Sequence, residues 1–127
     1  MTDPLILAPS ADHPITIRPN PRRVVVEAGG QVVADSCEAL ILHEASYPAV
    51  QYIPLKHVMM ASLRPSTHST YCLYKGTAAY FDLLPLGDRG ANAVWTYLSP
   101  YSVAGAIADH VAFYADRVEI RELECRS

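Results

Sequence analysis

The stretch Ser66-Thr-His-Ser-Thr-Tyr-Cys-Leu-Tyr-Lys-Gly-Thr-Ala-Ala-Tyr-Phe-Asp82 decides how this chain is read. Two runs rich in β-branched and aromatic residues flank the dipeptide Lys75-Gly76. Glycine adopts positive φ without steric cost, so this pair predicts a two-residue β-hairpin. The expected register sets Tyr74 opposite Thr77, Cys72 opposite Ala79 and Thr70 opposite Phe81 on one face. Leu73 with Ala78, and Tyr71 with Tyr80, fall on the other. A thiol, a lysine and several phenols gather on this hairpin.

Upstream, Pro14 to Arg18 reads as a short strand closed by Pro19-Asn20-Pro21, which cannot extend a ladder. Arg23 to Ala28, the turn Gly29-Gly30 and Gln31 to Ala34 make a second hairpin, interrupted after it by Asp35-Ser36. Glu38 to Glu44 suits helix by composition and strand by length; the punctuation around it favours strand. Val50 to Ile53 is a further strand, ended by Pro54, and Leu55 to Met60 holds a single helical turn.

Downstream, Leu83 to Gly90 reads as a loop and Asn92 to Leu98 alternates like a strand. Pro100 opens the one helix the pattern supports. Ser102 caps it, and Val103, Ala106, Ile107 and His110 follow at helical spacing. Val111 to Tyr114 and Arg117 to Leu123 are expected to close the chain as a strand pair around Ala115-Asp116, with a frayed tail from Glu122. Short strands with turn signals about every 8–12 residues predict a mainly β domain: two curved antiparallel sheets, sandwich- or barrel-like, with one or two short helices.

The 127 residues are enough for one domain with its own core, preceded by an irregular arm over residues 1–12. Half the residues are hydrophobic, which marks a globular chain. The formal charge of −3, with Arg18, Arg22 and Arg23 the only dense basic spot, argues against a nucleic-acid binder. The N-terminal ten residues lack the basic and apolar regions of a signal peptide, and no run approaches the ~20 apolar residues of a membrane helix. Cys37, Cys72 and Cys125 lie far apart, cannot all pair within the chain, and form no zinc-type spacing. A cytosolic protein without a metal or other cofactor is the expectation.

Several residues are candidates for chemistry. Lys75, three residues beyond Cys72, could activate that thiol as a nucleophile; the plain alternative is a packed thiol beside an exposed turn lysine. A Lys75 pointing inward could instead hold an anionic ligand. Glu44, at the end of an apolar strand, suits an acid/base role, a ligand anchor or an ion-paired rim position. The five histidines form no metal pattern, and His110 fits a hydrogen-bonded core histidine or a base. Tyr52, Tyr71, Tyr80, Trp95 and Tyr97 suit either cross-strand packing or the walls of a pocket, because such rings combine apolar area with a directed hydrogen bond. There is no phosphate loop or nucleophile elbow, and Asp82, Asp88, Asp109 and Asp116 are scattered on turns, which disfavours nucleotidyl transfer.

The order of motifs resembles a known family. It runs His13-Pro14-Ile15, Gly30 to Ser36, His43-Glu-Ala-Ser-Tyr-Pro48, Gln51 to Pro54, Thr70-Tyr-Cys-Leu-Tyr-Lys-Gly76, Asn92 to Tyr97 and His110 to Val118. Over about residues 13 to 120 this resembles the domain-of-unknown-function 427 family, which also carries a nucleotidyltransferase label. Leu73 stands where the family pattern has proline. The resemblance implies a tent-like β fold similar to methionine sulfoxide reductase B and the thalidomide-binding domain of cereblon, without the paired Cys-x-x-Cys zinc knuckles of those relatives. It also implies interest in Glu44 and His110, which fall within the shared motifs.

The leading expectation is a small-molecule-binding domain, its pocket between the two sheets, lined by Tyr52, Tyr71, Tyr80, Trp95 and Tyr97 with Glu44 and Lys75 as polar anchors. The competitors are an enzyme using Cys72, supported by Lys75 or His110, and a pocketless interaction module that pairs through strand edges with another protein or a second copy.

Overall fold

The computed structural model describes residues 10–125, so most of the expected arm lies outside the described residues. The chain folds as two antiparallel sheets. Ten strands are present among the described residues: β1 Ile15–Pro19, β2 Arg23–Ala28, β3 Gln31–Ser36, β4 Leu40–Glu44, β5 Val50–Pro54, β6 Leu63–Cys72, β7 Gly76–Leu83, β8 Val94–Tyr97, β9 His110–Phe113 and β10 Glu119–Leu123. Seven form one sheet in the order β1-β4-β5-β9-β8-β7-β6, and the other three form β10-β2-β3. The mainly β expectation holds, and most strand positions hold with it.

The central hairpin forms in a different register. Cys72 pairs with Gly76, Tyr71 with Thr77, Thr70 with Ala78 and Ser69 with Ala79. The loop is therefore three residues, Leu73-Tyr74-Lys75, and Gly76 uses its positive φ of 111° where β7 begins. The pairing differs from the expected one by three residues, an odd number, so the strands exchange faces relative to each other. Tyr71 leaves the side of Tyr80 and Cys72 joins it. Near its other end β6 is irregular between Pro65 and Ser69. Proline and irregularity blunt this outer strand against further pairing.

The helix expected from Pro100 is a 3₁₀ segment, Ser102–Ile107, broken by non-helical φ/ψ at Ala104, and His110 opens β9 instead. Gly105 disfavours an α-helix, while Ala104 and Ile107, three apart, both bury, as an i, i+3 periodicity allows. The Leu55 to Met60 region divides into two 3₁₀ turns, Leu55–His57 and Met60–Ser62, and Leu84–Gly90 is also 3₁₀. The last two strands do not pair with each other. β9 lies between β5 and β8 in the large sheet, and β10 pairs with β2 in the small one. Glu122 and Leu123 belong to that ladder and are not frayed. Asp35 and Ser36 continue β3 instead of interrupting it.

Alternation along the strands gives the large sheet two apolar faces. Ile53, Leu83, Val94, Val111 and Phe113 face Val24, Val26, Val33 and Ala34 of the small sheet and form the main core. Their neighbours on the opposite face, Leu42, Tyr52, Ala78, Tyr80, Tyr97 and Ala112, pack with Ala104 and Ile107 into a second cluster. Cys37 and Cys125 are joined by a disulfide, and Cys72 is the free cysteine among the described residues. Among the described residues no helix is long and apolar enough to cross a membrane.

Candidate functional site

The second face closes over a cleft of about 210 Å³, lined by Leu42, Glu44, Tyr47, Pro48, Val50, Tyr52, Lys75, Tyr80, Trp95, Tyr97 and Tyr114. These residues come from β4, β5, β7 and β8, the β4–β5 turn, the β6–β7 loop and the residue after β9. None belongs to the small sheet, so the cleft lies on the outer face of the large sheet and not between the sheets as expected. The space between the sheets is filled by valines and other close-packed apolar side chains.

Ladder register explains why the rings meet. Tyr80 pairs with Trp95 across β7 and β8, so both point to the same face. Tyr97 is two residues beyond Trp95 and shares that face. Tyr52 arrives from β5, and its ring meets Trp95 edge-on, with centroids 6.4 Å apart at 90°. The Trp95 indole N–H donates to the Tyr52 hydroxyl at 3.1 Å. Tyr114 tilts against Trp95 at 4.7 Å. The Tyr80 hydroxyl is 2.9 Å from Thr70 Oγ1, a diagonal pair that the observed hairpin register creates.

The polar end is a charged triplet. Lys75 Nζ donates to Glu44 Oε1, and the two side chains are each only 12% exposed. Lys75 Nζ also lies 5.6 Å from the centre of the Tyr97 ring, within cation–π range. The other carboxylate oxygen, Oε2, is 2.8 Å from His13 Nε2. An ionised carboxylate can only accept, so His13 Nε2 carries the proton. The imidazole stacks flat on Tyr74, 3.9 Å away and 5° from parallel. Burial alone would push the Glu44 carboxyl up, but the hydrogen bonds from Lys75 and His13 and their attraction outweigh it and hold the carboxyl below its ordinary value. Burial pushes the Tyr52 phenol up to about 12, and it raises Tyr97 and Tyr114 as well.

Of the residues singled out from sequence, Glu44, Tyr52, Lys75, Tyr80, Trp95 and Tyr97 meet in this cleft. Tyr71 does not. It projects from the other face, where its hydroxyl lies 2.6 Å from that of Tyr101. Cys72 turns toward the cleft side and packs at the edge of the aromatic cluster, while the Lys75 ammonium is engaged by Glu44. His110 stands apart, its Nδ1 2.8 Å from the Ala108 carbonyl oxygen. Sequence reasoning missed His13, Tyr47, Tyr74 and Tyr114 as members of the site. His13 was visible only as the first residue of the leading His-Pro-Ile motif.

By sequence, residues 16–124 match the family model of a domain of unknown function, DUF427. The chain belongs to the DUF427 family. No curated protein matches it. Within this DUF427 domain a second polar cluster brings His57 Nδ1 to 2.6 Å from Ser36 Oγ and His57 Nε2 to 3.4 Å from Glu38 Oε2. Its serine is buried and accepts the Glu38 backbone N–H at 2.9 Å, so this hydroxyl serves the turn after β3. Among the described residues, no three His, Cys, Asp or Glu side chains gather as a metal-binding group.

Proposed function

We propose that this DUF427 domain binds a small molecule in the aromatic cleft. The observation that carries the reading is convergence: five tyrosines and the chain's single tryptophan meet one half-buried Glu44–Lys75 pair in a concave space. Mainly apolar walls with a few directed polar groups are the usual make-up of a ligand site. The rings also leave the large sheet's outer face partly open where its inner face is closely packed, a use of aromatic residues that packing alone does not require. The reading is one of binding. Glu44 acts as the fixed anchor that positions Lys75, and Cys72 supports the wall.

The test is a screen of small ring compounds against the whole chain by ligand-observed NMR, followed in wild type by Trp95 emission. Compounds that bind are expected to shift that emission, because the fluorophore stands in the cleft. Trp95→Ala and Tyr97→Ala, checked for folding by circular dichroism, are expected to weaken those compounds at least about tenfold, the loss of roughly 1.4 kcal/mol or more of ring contact. Folded variants that bind the same compounds as wild type would falsify the proposal.

A further inference from the structure

Resting on that reading, we infer the ligand class: a small planar acid with one ring among Trp95, Tyr80 and Tyr114 and its carboxylate on the Lys75 ammonium and the Tyr97 hydroxyl. Size gives the first constraint. A volume of about 210 Å³ lies below the roughly 300–1,000 Å³ of pockets for drug-sized ligands, so the cleft suits a single ring.

The polar groups give the second. An ammonium carries three N–H donors, and Glu44 Oε1 takes one from Lys75. The Tyr97 hydroxyl has no hydrogen-bond partner among the described residues. Tyr52 accepts the Trp95 N–H and keeps its own proton to donate. The raised values of Tyr52 and Tyr97 keep both phenols protonated near neutrality, so they remain donors. Among the described residues, Glu44 is the one carboxylate lining the cleft, and it is already engaged on both oxygens, by Lys75 and His13. A cation in this aromatic enclosure would meet Lys75 first and find its counter-charge occupied. An anion finds donors without partners. A carboxylate in the plane of its ring matches these donors, because charge-assisted N–H···O⁻ bonds are the strongest available here.

Benzoate, benzamide and benzamidine share a ring and differ in the charge of one planar substituent, so they separate the possibilities on the intact chain. Dissociation constants come from Trp95 emission and ligand-observed NMR. Benzoate is expected to bind about tenfold more tightly than benzamide, with benzamidine weakest. Lys75→Met should erase the preference for benzoate while benzamide binding persists. Glu44→Gln keeps an oxygen that can position Lys75 but removes the competing negative charge, so it should tighten benzoate several-fold; weaker benzoate binding in this variant would count against the Lys75 ammonium as the seat of the carboxylate. Should Lys75→Met not fold, Tyr97→Phe removes one hydroxyl and should weaken benzoate more than benzamide. If benzamide or benzamidine equals benzoate, or if the variants leave the ratios unchanged, the acid is excluded and binding in the cleft stands. If none of the three binds at millimolar concentration, a ring does not enter, and the cleft reading falls with the acid.

Discussion

Glu44 is the residue at which burial and pairing oppose each other most directly. Its carboxylate gives up water and receives two hydrogen bonds, and the balance leaves its folded value below the ordinary 4.5. A folded value below the unfolded one means stability that is complete above the ordinary value and is lost as pH falls through the lowered folded value. Glu44→Gln is therefore expected to cost about 1–3 kcal/mol at neutral pH, since it leaves Lys75 half-buried without its counter-charge. In denaturant titrations the gap between wild type and variant should narrow steadily on acidification below that range. A gap that stays constant across the acid limb would show that Glu44's charge adds nothing. At this scale the sequence was partly readable. A carboxylate ending an apolar strand and a lysine beside a tight turn each drew attention alone. Their meeting depends on β4 and the β6–β7 loop lying side by side, 31 residues apart in the chain, which local pattern does not encode.

Among the elements, the β6–β7 hairpin shows where local reading succeeds and where it stops. Alternation and Gly76 identify a hairpin, yet a glycine with positive φ serves a two-residue turn or the residue closing a three-residue loop equally well. The choice falls to packing. The observed register puts Tyr80, Ala78 and Cys72 on the apolar second face and leaves Tyr71 outside, half exposed. The 3₁₀ segment Ser102–Ile107 teaches the same lesson, because its apolar spacing fits either helix type until Gly105 and the break at Ala104 are weighed. The connection between β7 and β8 makes a sharper prediction. A Cβ built on Gly90 would lie 2.0 Å from the Leu83 carbonyl oxygen, and that atom is backbone that cannot swing aside. Gly90→Ala should destabilise the fold by roughly 2–4 kcal/mol in equilibrium unfolding. Gly105→Ala is the informative partner, since no atom lies within 4 Å of its Cβ and its φ lies outside the left-handed region, so the change should be neutral or stabilise by up to about 1 kcal/mol. Equal costs at the two positions would mean the close approach to Leu83 is not maintained in solution.

Over the whole molecule, the large sheet separates stability from the proposed function by giving each its own face. Valines against the small sheet form one core, and aromatic rings line the cleft on the other side. Sequence composition announces both sets but not their separation, because a chain-wide count cannot say which strands stack. It also undervalued the cysteines. Distance along the chain made Cys37 and Cys125 look unrelated, yet β2 pairs with both β3 and β10, so the ends of those strands arrive together with Cα atoms 5.9 Å apart. A disulfide there favours oxidising surroundings, which removes the cysteines from the argument for a cytosolic protein. It ties the outer strand β10 to β3 across a separation of 88 residues. The ion pairs at that edge, Arg121 with Glu27 and Arg22 with Glu122, are exposed enough to add little. Closing a loop of that length removes unfolded-chain entropy worth about 4–5 kcal/mol in the chain-entropy account, of which measured disulfides commonly deliver about 2–4. Reductant is therefore expected to lower unfolding free energy by about 2–4 kcal/mol in wild type and in Cys72→Ser alike. Cys37→Ser and Cys125→Ser should show that loss without reductant and no further loss with it. A wild type whose stability ignores reductant, while mass spectrometry confirms that the bond has opened, would show that β10 is held by its ladder to β2 and not by the covalent tie.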